Sequence, residues 1–315
     1  MNLELQALSS PDYEYLDAGA GGRLERFGPY VLDRPSPVAL WAREHPELWP
    51  RAAGVYHRSS SGGGHWSFRA RLPQTWPLRW NQFTFEIKPT GFGHMGFFPE
   101  HTGHWPWVAE QVARRPGCRV LNLFAYTGAL TLLCAGAGAE VCHVDAVREI
   151  NEWARRNAAA SGLSGAPVRW ITDDVLKFTA RELRRGRRYE ALIADPPSYG
   201  KGPQGEKWIL EEQILRLLEQ LLALTSDQPR FVLFTSHTPG FSPPLLRNLL
   251  RPWQDRFGGE IEAGTMTLAS ANCRCVLPSG CFARWRAEKT SRARAAEAAP
   301  AARAAQGRRT AEPAP

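Results

Sequence analysis

No uninterrupted apolar run of about 18 or more residues, the length a helix needs to cross a bilayer, occurs in the 315-residue chain, so no helical membrane span is expected. Residues 1–11 carry one acidic side chain, Glu4, and lack the basic start and long apolar stretch of a secretory signal, which points to a cytoplasmic protein. Cysteine is limited to six residues. Cys118, Cys134 and Cys142 lie in or beside apolar strand and helix patterns, where a buried thiol is the ordinary case. Cys273, Cys275 and Cys281 form C-x-C-x5-C with no partnering C-x-x-C or spaced histidines, a poor zinc pattern. No metal site is expected.

What is present is a folded globular composition, 43% hydrophobic with 12 Trp. The length suits a full α/β core with a small second domain. The net charge of +8 is unevenly spread: residues 284–315 carry +5 of it, leaving +3 for the first 283. Overall basicity therefore does not by itself establish a nucleic-acid surface.

Three regions separate. Residues 1–108 hold seven of the Trp residues and many Gly and Pro. Short strand-like runs (66–70, 83–87) and turn residues such as those at 61–64 mark a small, β-rich N-terminal domain. Residues 109–286 alternate strand-like runs (119–124, 140–145, 167–172, 190–194, 230–235) with helical spacing at 127–137, 147–160, 175–185 and 207–225. That order predicts a parallel sheet with helices on both faces. A helix near 243–254 and strands at 261–268 and 274–284 would close it with an antiparallel pair. Residues 287–315, rich in Ala and Arg, read as a disordered basic tail.

The first strand of the α/β region runs into Asn122-Leu123-Phe124-Ala125-Tyr126-Thr127-Gly128-Ala129. In a doubly wound sheet, ligands bind at such carboxyl ends. A dinucleotide would need several glycines here for its pyrophosphate; the turn has only Gly128, which suits a cofactor without phosphate. The second strand ends at Asp145, 23 residues after Asn122, where a carboxylate can accept both ribose hydroxyls. The third ends at Asp173-Asp174-Val175, where Asp174 can take an adenine amino group and Val175 can pack on its ring. Each aspartate alone could be a helix cap; their succession at consecutive strand ends is the stronger signal. The fourth strand ends at Asp195-Pro196-Pro197-Ser198-Tyr199.

These motifs, V-L-N-L-F-A-Y-T-G (120–128), V-D (144–145), D-D-V-L-K-F (173–178) and D-P-P-S-Y-G-K-G (195–202), carry a resemblance. The stretch 120–285 resembles the catalytic domain of the bacterial 23S rRNA methyltransferase family that includes the large-subunit cytosine-C5 enzymes. The segment F-E-I-K-P-T-G-F-G-H-M-G-F-F-P-E-H (85–101) resembles that family's linker strand and turn. The N-terminal part does not resemble the RNA-binding PUA module of many members. The resemblance implies a Rossmann-like, seven-stranded class I methyltransferase using S-adenosyl-L-methionine. Asn122, Phe124, Tyr126, Thr127 and Gly128 would form the donor turn and line its methionine end. Asp145 would hold the ribose, and Asp174 with Val175 the adenine.

A D-P-P loop sets a carboxylate and rigid backbone carbonyls beside the methyl sulfonium, so that Asp195, Pro196, Pro197 and Tyr199 would orient the acceptor. The segment 200–203 reads as a flexible basic loop able to close on an anionic substrate. Methylation at pyrimidine C5 needs a nucleophile, normally Cys, which in the cytosine-C5 relatives follows the fifth strand. Here that segment is Phe234-Thr235-Ser236-His237-Thr238, which argues against C5 chemistry. His237 could be a general base or substrate contact, or simply a polar strand end. His94, His101 and His104, on a Gly- and Pro-rich turn, suit a structural or lid role better than metal binding.

The reading is a methyltransferase acting on RNA, most readily rRNA, at a position not needing a Cys nucleophile. The rivals are a methyltransferase of a small molecule or protein, and a catalytically silent RNA-binding or assembly protein. An oxidoreductase fits least, because the glycine pattern is wrong.

Overall fold

In a sheet covered on both faces, strands read as short continuous apolar runs, and alternate residues then feed two separate cores. The computed structural model, which describes residues 3–59 and 63–288, follows this rule. Val120, Ile193 and Leu233 face one buried cluster, whereas Leu121, Leu192 and Val232 face the other.

The chain starts with β1 (Leu3–Gln6). A five-stranded sheet follows, made of β2 (Tyr13–Gly19), β3 (Gly22–Phe27), β4 (Tyr30–Pro35), β5 (Gly54–Arg58) and β6 (Gly64–Phe68). Next comes the hairpin β7 (Trp76–Trp80) and β8 (Phe83–Ile87). Helix α1 (Trp105–Ala113) leads into β9 (Arg119–Leu123), α2 (Ala129–Gly136), β10 (Glu140–Asp145) and α3 (Arg148–Ala160). Then come β11 (Val168–Thr172), α4 (Val175–Arg184), β12 (Ala191–Ala194) and the short pair β13 (Tyr199–Lys201) and β14 (Lys207–Ile209). The chain continues with α5 (Leu210–Leu224), β15 (Phe231–Ser236), α6 (Pro243–Phe257), β16 (Glu260–Ser270) and β17 (Cys273–Arg286).

The main sheet has the order β1-β16-β17-β15-β12-β9-β10-β11. Strands β11, β10, β9, β12 and β15 are parallel, and β17 runs antiparallel between β15 and β16. This is the expected seven-stranded arrangement with one addition. The N-terminal β1 pairs in parallel with the edge strand β16, so the chain's start belongs to the catalytic sheet. Because β9 is flanked by β10 on one side and β12 on the other, the switch point lies at β9.

The hairpin β7–β8 ties the N-terminal sheet to the α/β layer. Trp80, Phe83, Phe85, Phe97 and Trp105 are buried in one aromatic cluster. Asn157 and Trp153 of α3 bond to the backbone of Glu86, at 2.8 and 3.0 Å. Two local expectations are revised. Residues 200–203 belong to the β13–β14 hairpin, closed by Gly202 N donating to Glu206 O at 2.7 Å, and the following helix begins at Leu210 instead of 207. The expected tail, 287–315, lies outside the described residues from 289 onward, as do residues 61 and 62 of the expected turn.

Candidate active site

Strand β9 brings the chain to the switch point, and residues 124–128 then fold tightly on themselves. Phe124, Tyr126 and Gly128 have φ of 53°, 49° and 89°, all left-handed. For Phe and Tyr such backbone costs of order 1–3 kcal/mol each, so it persists only where surroundings impose it. They do: Tyr126 N donates to Asp145 Oδ2 at 2.9 Å, Thr127 Oγ1 donates to Gly96 O at 2.6 Å, and Asn157 Nδ2 donates to Thr127 O at 2.9 Å. Gly128 has two reasons to lack a side chain, its φ and the Ala154 methyl that an added Cβ would meet at 3.2 Å. Phe124 packs on Trp208 of β14, with ring centroids 4.9 Å apart.

The turn lines a cleft with Phe98, His101, Asn122 and Asp195. Asn122 is buried beneath it and donates to Thr131 Oγ1 at 2.9 Å, which in turn meets His143 Nδ1. Asp145 stands at the end of β10, its Oδ1 accepting from Val147 N at 3.0 Å. Burial pushes its pKa above the ordinary carboxylate value, against the opposing N–H groups of Val147 and Tyr126. Asp174 does the work of an N-cap, accepting from Lys177 N at 2.9 Å, while Val175 is 3% exposed and packed in the core. Neither is among the residues that line the cleft with the donor turn.

Beyond β12, Asp195 is held from three sides. Thr235 Oγ1 donates to its Oδ1 at 2.6 Å, His101 Nε2 stands 3.3 Å from its Oδ2, and His237 Nε2 is 3.9 Å from its Oδ1. The two histidine Nε2 atoms are 3.3 Å apart. Burial favours the neutral acid, but His101, His237 and Thr235 together hold Asp195 ionised, well below the usual carboxylate range. Reciprocally, Asp195 and Glu100 raise the pKa of His101 despite its burial. Pro196 is buried, whereas Pro197, Ser198 and Tyr199 are exposed. Pro197 O accepts from Trp208 Nε1 at 2.7 Å, and Ser198 Oγ meets Thr238 Oγ1 at 2.7 Å, so the D-P-P loop is pinned on both flanks.

The three histidines of the 94–104 segment separate. His94 stands at the rim beside Phe98 and Tyr126. His101 turns inward to Asp195, while His104 is fully buried against Phe282, uncharged. Cys273 and Cys275 sit beside Tyr15 and the N-terminal sheet, away from Asp195. Cys281 is paired across from Ser236, at the end of β15. Its thiol bonds to Ser236 O, and burial raises its pKa to about 11.

A donor turn and a D-P-P carboxylate on adjacent strands of this sheet order match a known architecture. A family model described as S-adenosylmethionine-dependent methyltransferase matches residues 55–246. The chain belongs to that family. It is a methyltransferase whose methyl donor is S-adenosylmethionine. A solved S-adenosylmethionine-dependent methyltransferase from Agrobacterium tumefaciens is 34% identical, with a TM-score of 0.87 over 91% of this chain and 94% of that one. The tRNA m1G37 methyltransferase of Methanocaldococcus jannaschii shares the fold alone, at 12% identity and a TM-score of 0.52 over 82% of this chain and 70% of that one. Among curated relatives, the ribosomal RNA large subunit methyltransferase K/L of Shewanella frigidimarina is 31% identical over 47% of this chain. The ribosomal RNA large subunit methyltransferase K of Neisseria meningitidis is 33% identical over 33% of it. The methyltransferase aligns with only 20% and 29% of the length of these two relatives.

Sequence reading missed Thr235 as the clamp on Asp195, and it assigned His101 no part in the acceptor face. The signals were Thr at the end of β15 and His closing F-F-P-E-H, but nothing in sequence pairs them with a residue so distant.

Proposed function

We propose that this methyltransferase modifies RNA, with ribosomal RNA as the first candidate, at an atom that needs no cysteine nucleophile. The observation that carries the chemistry is the Asp195 carboxylate, clamped by Thr235 and His101 at the cleft edge beside the turn after β9. The cleft suits the donor: its turn has no multi-glycine phosphate cradle, and its walls combine the rings of Phe97, Phe98 and Phe124 with the polar side chains of Asn122, His101 and Asp195. When bound there, the donor supplies an electrophilic methyl sulfonium.

In this reading Phe124, Tyr126, Thr127 and Gly128 hold the methionine end, Asp145 the ribose hydroxyls, and Asp174 the outer edge of the adenine site. Asp195 and the carbonyls of Pro196 and Pro197 accept hydrogen bonds from the acceptor's N–H groups and aim its lone pair at the methyl group. Tyr199, 53% exposed, is available to stack on a base. His237, at the cleft mouth, is placed to take a proton as the acceptor is methylated. The neutral, buried Cys281 supports chemistry without a thiolate.

RNA as the acceptor rests on the rRNA methyltransferases among the relatives and on one surface feature. Phe68 and Phe92 are exposed on the N-terminal unit, Trp66 stacks on Phe68 at 5.8 Å, and Arg58, Arg69 and Lys88 are exposed on the same stretch. Aromatic rings among cations are the composition of a single-strand platform. A cytoplasmic location is consistent with six unpaired cysteines. The test is calorimetric titration with S-adenosylmethionine, followed by transfer of labelled methyl to ribosomal RNA. Asp145→Ala is expected to abolish micromolar donor binding. A donor-binding protein that labels no RNA would move the acceptor to a small molecule or protein.

A further inference from the structure

We infer that His101, Asp195 and His237 form a three-ligand site for a divalent transition-metal ion at the acceptor end of the cleft. The three offer ligand atoms that all lie within 4.8 Å of one another. Two of the three separations are 3.3 Å, from His101 Nε2 to Asp195 Oδ2 and to His237 Nε2, and the third, His237 Nε2 to Asp195 Oδ1, is 3.9 Å. A charge-assisted His–Asp hydrogen bond draws in to about 2.7–2.9 Å, and one Nε2 proton cannot serve both neighbours well. Ligands about 2.0–2.1 Å from a tetrahedral zinc ion, by contrast, stand about 3.3 Å from one another.

The surroundings supply part of what a ligand set needs. Metal-bound imidazoles are oriented by carboxylates at their other nitrogen, and ligating carboxylates are themselves hydrogen-bonded. Glu100 Oε1 lies 3.9 Å from His237 Nδ1, and Thr235 Oγ1 donates to Asp195 at 2.6 Å. Glu100 Oε2 and His101 Nδ1 are buried without a hydrogen-bond partner, so the cluster is not closed by protein contacts alone. His101 is buried, Asp195 half-buried and His237 exposed, which leaves the remaining coordination position facing the cleft. Two imidazoles and one carboxylate with an open position suit zinc, and also iron(II) or manganese(II). There the ion would take a lone-pair atom of the acceptor or solvent, with His237 acting as ligand in place of proton acceptor. The site does not depend on the acceptor being RNA.

The test uses the full chain, freed of metal with a chelator and titrated with zinc chloride by calorimetry. Cobalt(II) serves as the spectroscopic probe of tetrahedral coordination. One ion per chain is expected, with His101→Ala and Asp195→Asn abolishing stoichiometric uptake while circular dichroism stays native. Glu100→Gln, which removes no ligand, is expected to weaken zinc about 10–100-fold. The exposed, stacked pair His57 and His65, with centroids 5.0 Å apart, is the control for adventitious binding. A wild type that takes up neither ion, or uptake lost in His57→Ala/His65→Ala and kept in His101→Ala, overturns the inference. Donor titration of the same metal-free protein keeps a missing metal distinguishable from a missing donor site.

Discussion

Two buried charge clusters, one in the N-terminal sheet and one at the acceptor end of the cleft, use similar ingredients to opposite ends. In the N-terminal sheet, Glu25 is fully buried. Its Oε1 accepts from Tyr13 at 2.9 Å, and its Oε2 takes Arg34 Nε at 2.9 Å and faces Arg23 at 3.2 Å. Arg34 then reaches Gly93 O at 3.1 Å, bracing the segment that carries Phe97 and Phe98. Both oxygens of Glu25 are committed, and Arg23 Nε stands within ion-pair range of Oε2 without a hydrogen bond of its own. At the cleft, Asp195 is also ionised and partly buried, yet its neighbours His101 and Glu100 retain unpartnered atoms and one side is open. A carboxylate with both oxygens taken by tyrosine and arginine is scaffold, whereas a carboxylate and imidazoles left open on the cleft side mark a place where something else can bind.

Substitutions can break this contrast from either side. Glu25→Gln removes one charge and strands the buried Arg34 guanidinium and the half-buried Arg23, and is expected to cost about 3–5 kcal/mol of stability in urea unfolding. Its methyl transfer per folded molecule should be little changed. Asp195→Asn should do the reverse, lowering methyl transfer by roughly 10²–10⁴-fold with donor affinity and unfolding midpoint near wild type. Equal loss of stability in both variants would erase the distinction.

Acid sharpens it further. The arginines and Tyr13 outweigh burial and hold the Glu25 pKa below its ordinary value. Its contribution is therefore complete above about pH 4.3 and is lost as the pH falls through the lower folded-state value. Wild type should lose stability more steeply than Glu25→Gln across that acid window. The smallest effect is expected at the donor turn. Gly128→Ala forces a methyl group into left-handed backbone against Ala154, costing about 1–2 kcal/mol. It should weaken donor binding while leaving the N-terminal cluster intact, as a calorimetric titration beside a thermal melt would show.

The same contrast explains what could be read in sequence. The catalytic strands β9, β12 and β15 stood out because they are buried on both faces and carry runs such as Ala-Leu-Ile-Ala. Strands β2 to β4 did not, because YEYLDAG, GRLERF and YVLDRP read as surface while hiding Asp17, Glu25 and Arg34 in the interior. Asp17 is fully buried and holds His45 N at 3.0 Å and Trp49 Nε1 at 2.8 Å, a pairing invisible before folding.

By itself the sequence determined the alternation of parallel strands and helices around β9 to β15 and the position of the glycine-bearing turn after β9, because periodicity and strand-end chemistry are local. It also set the D-P-P carboxylate at the fourth strand end. Only the tertiary structure decided what that carboxylate faces. His101 and His237 are 136 positions apart and meet across Asp195 because the segment before α1 and the end of β15 converge there. Contacts of that separation follow from how the layers pack, which no local pattern records.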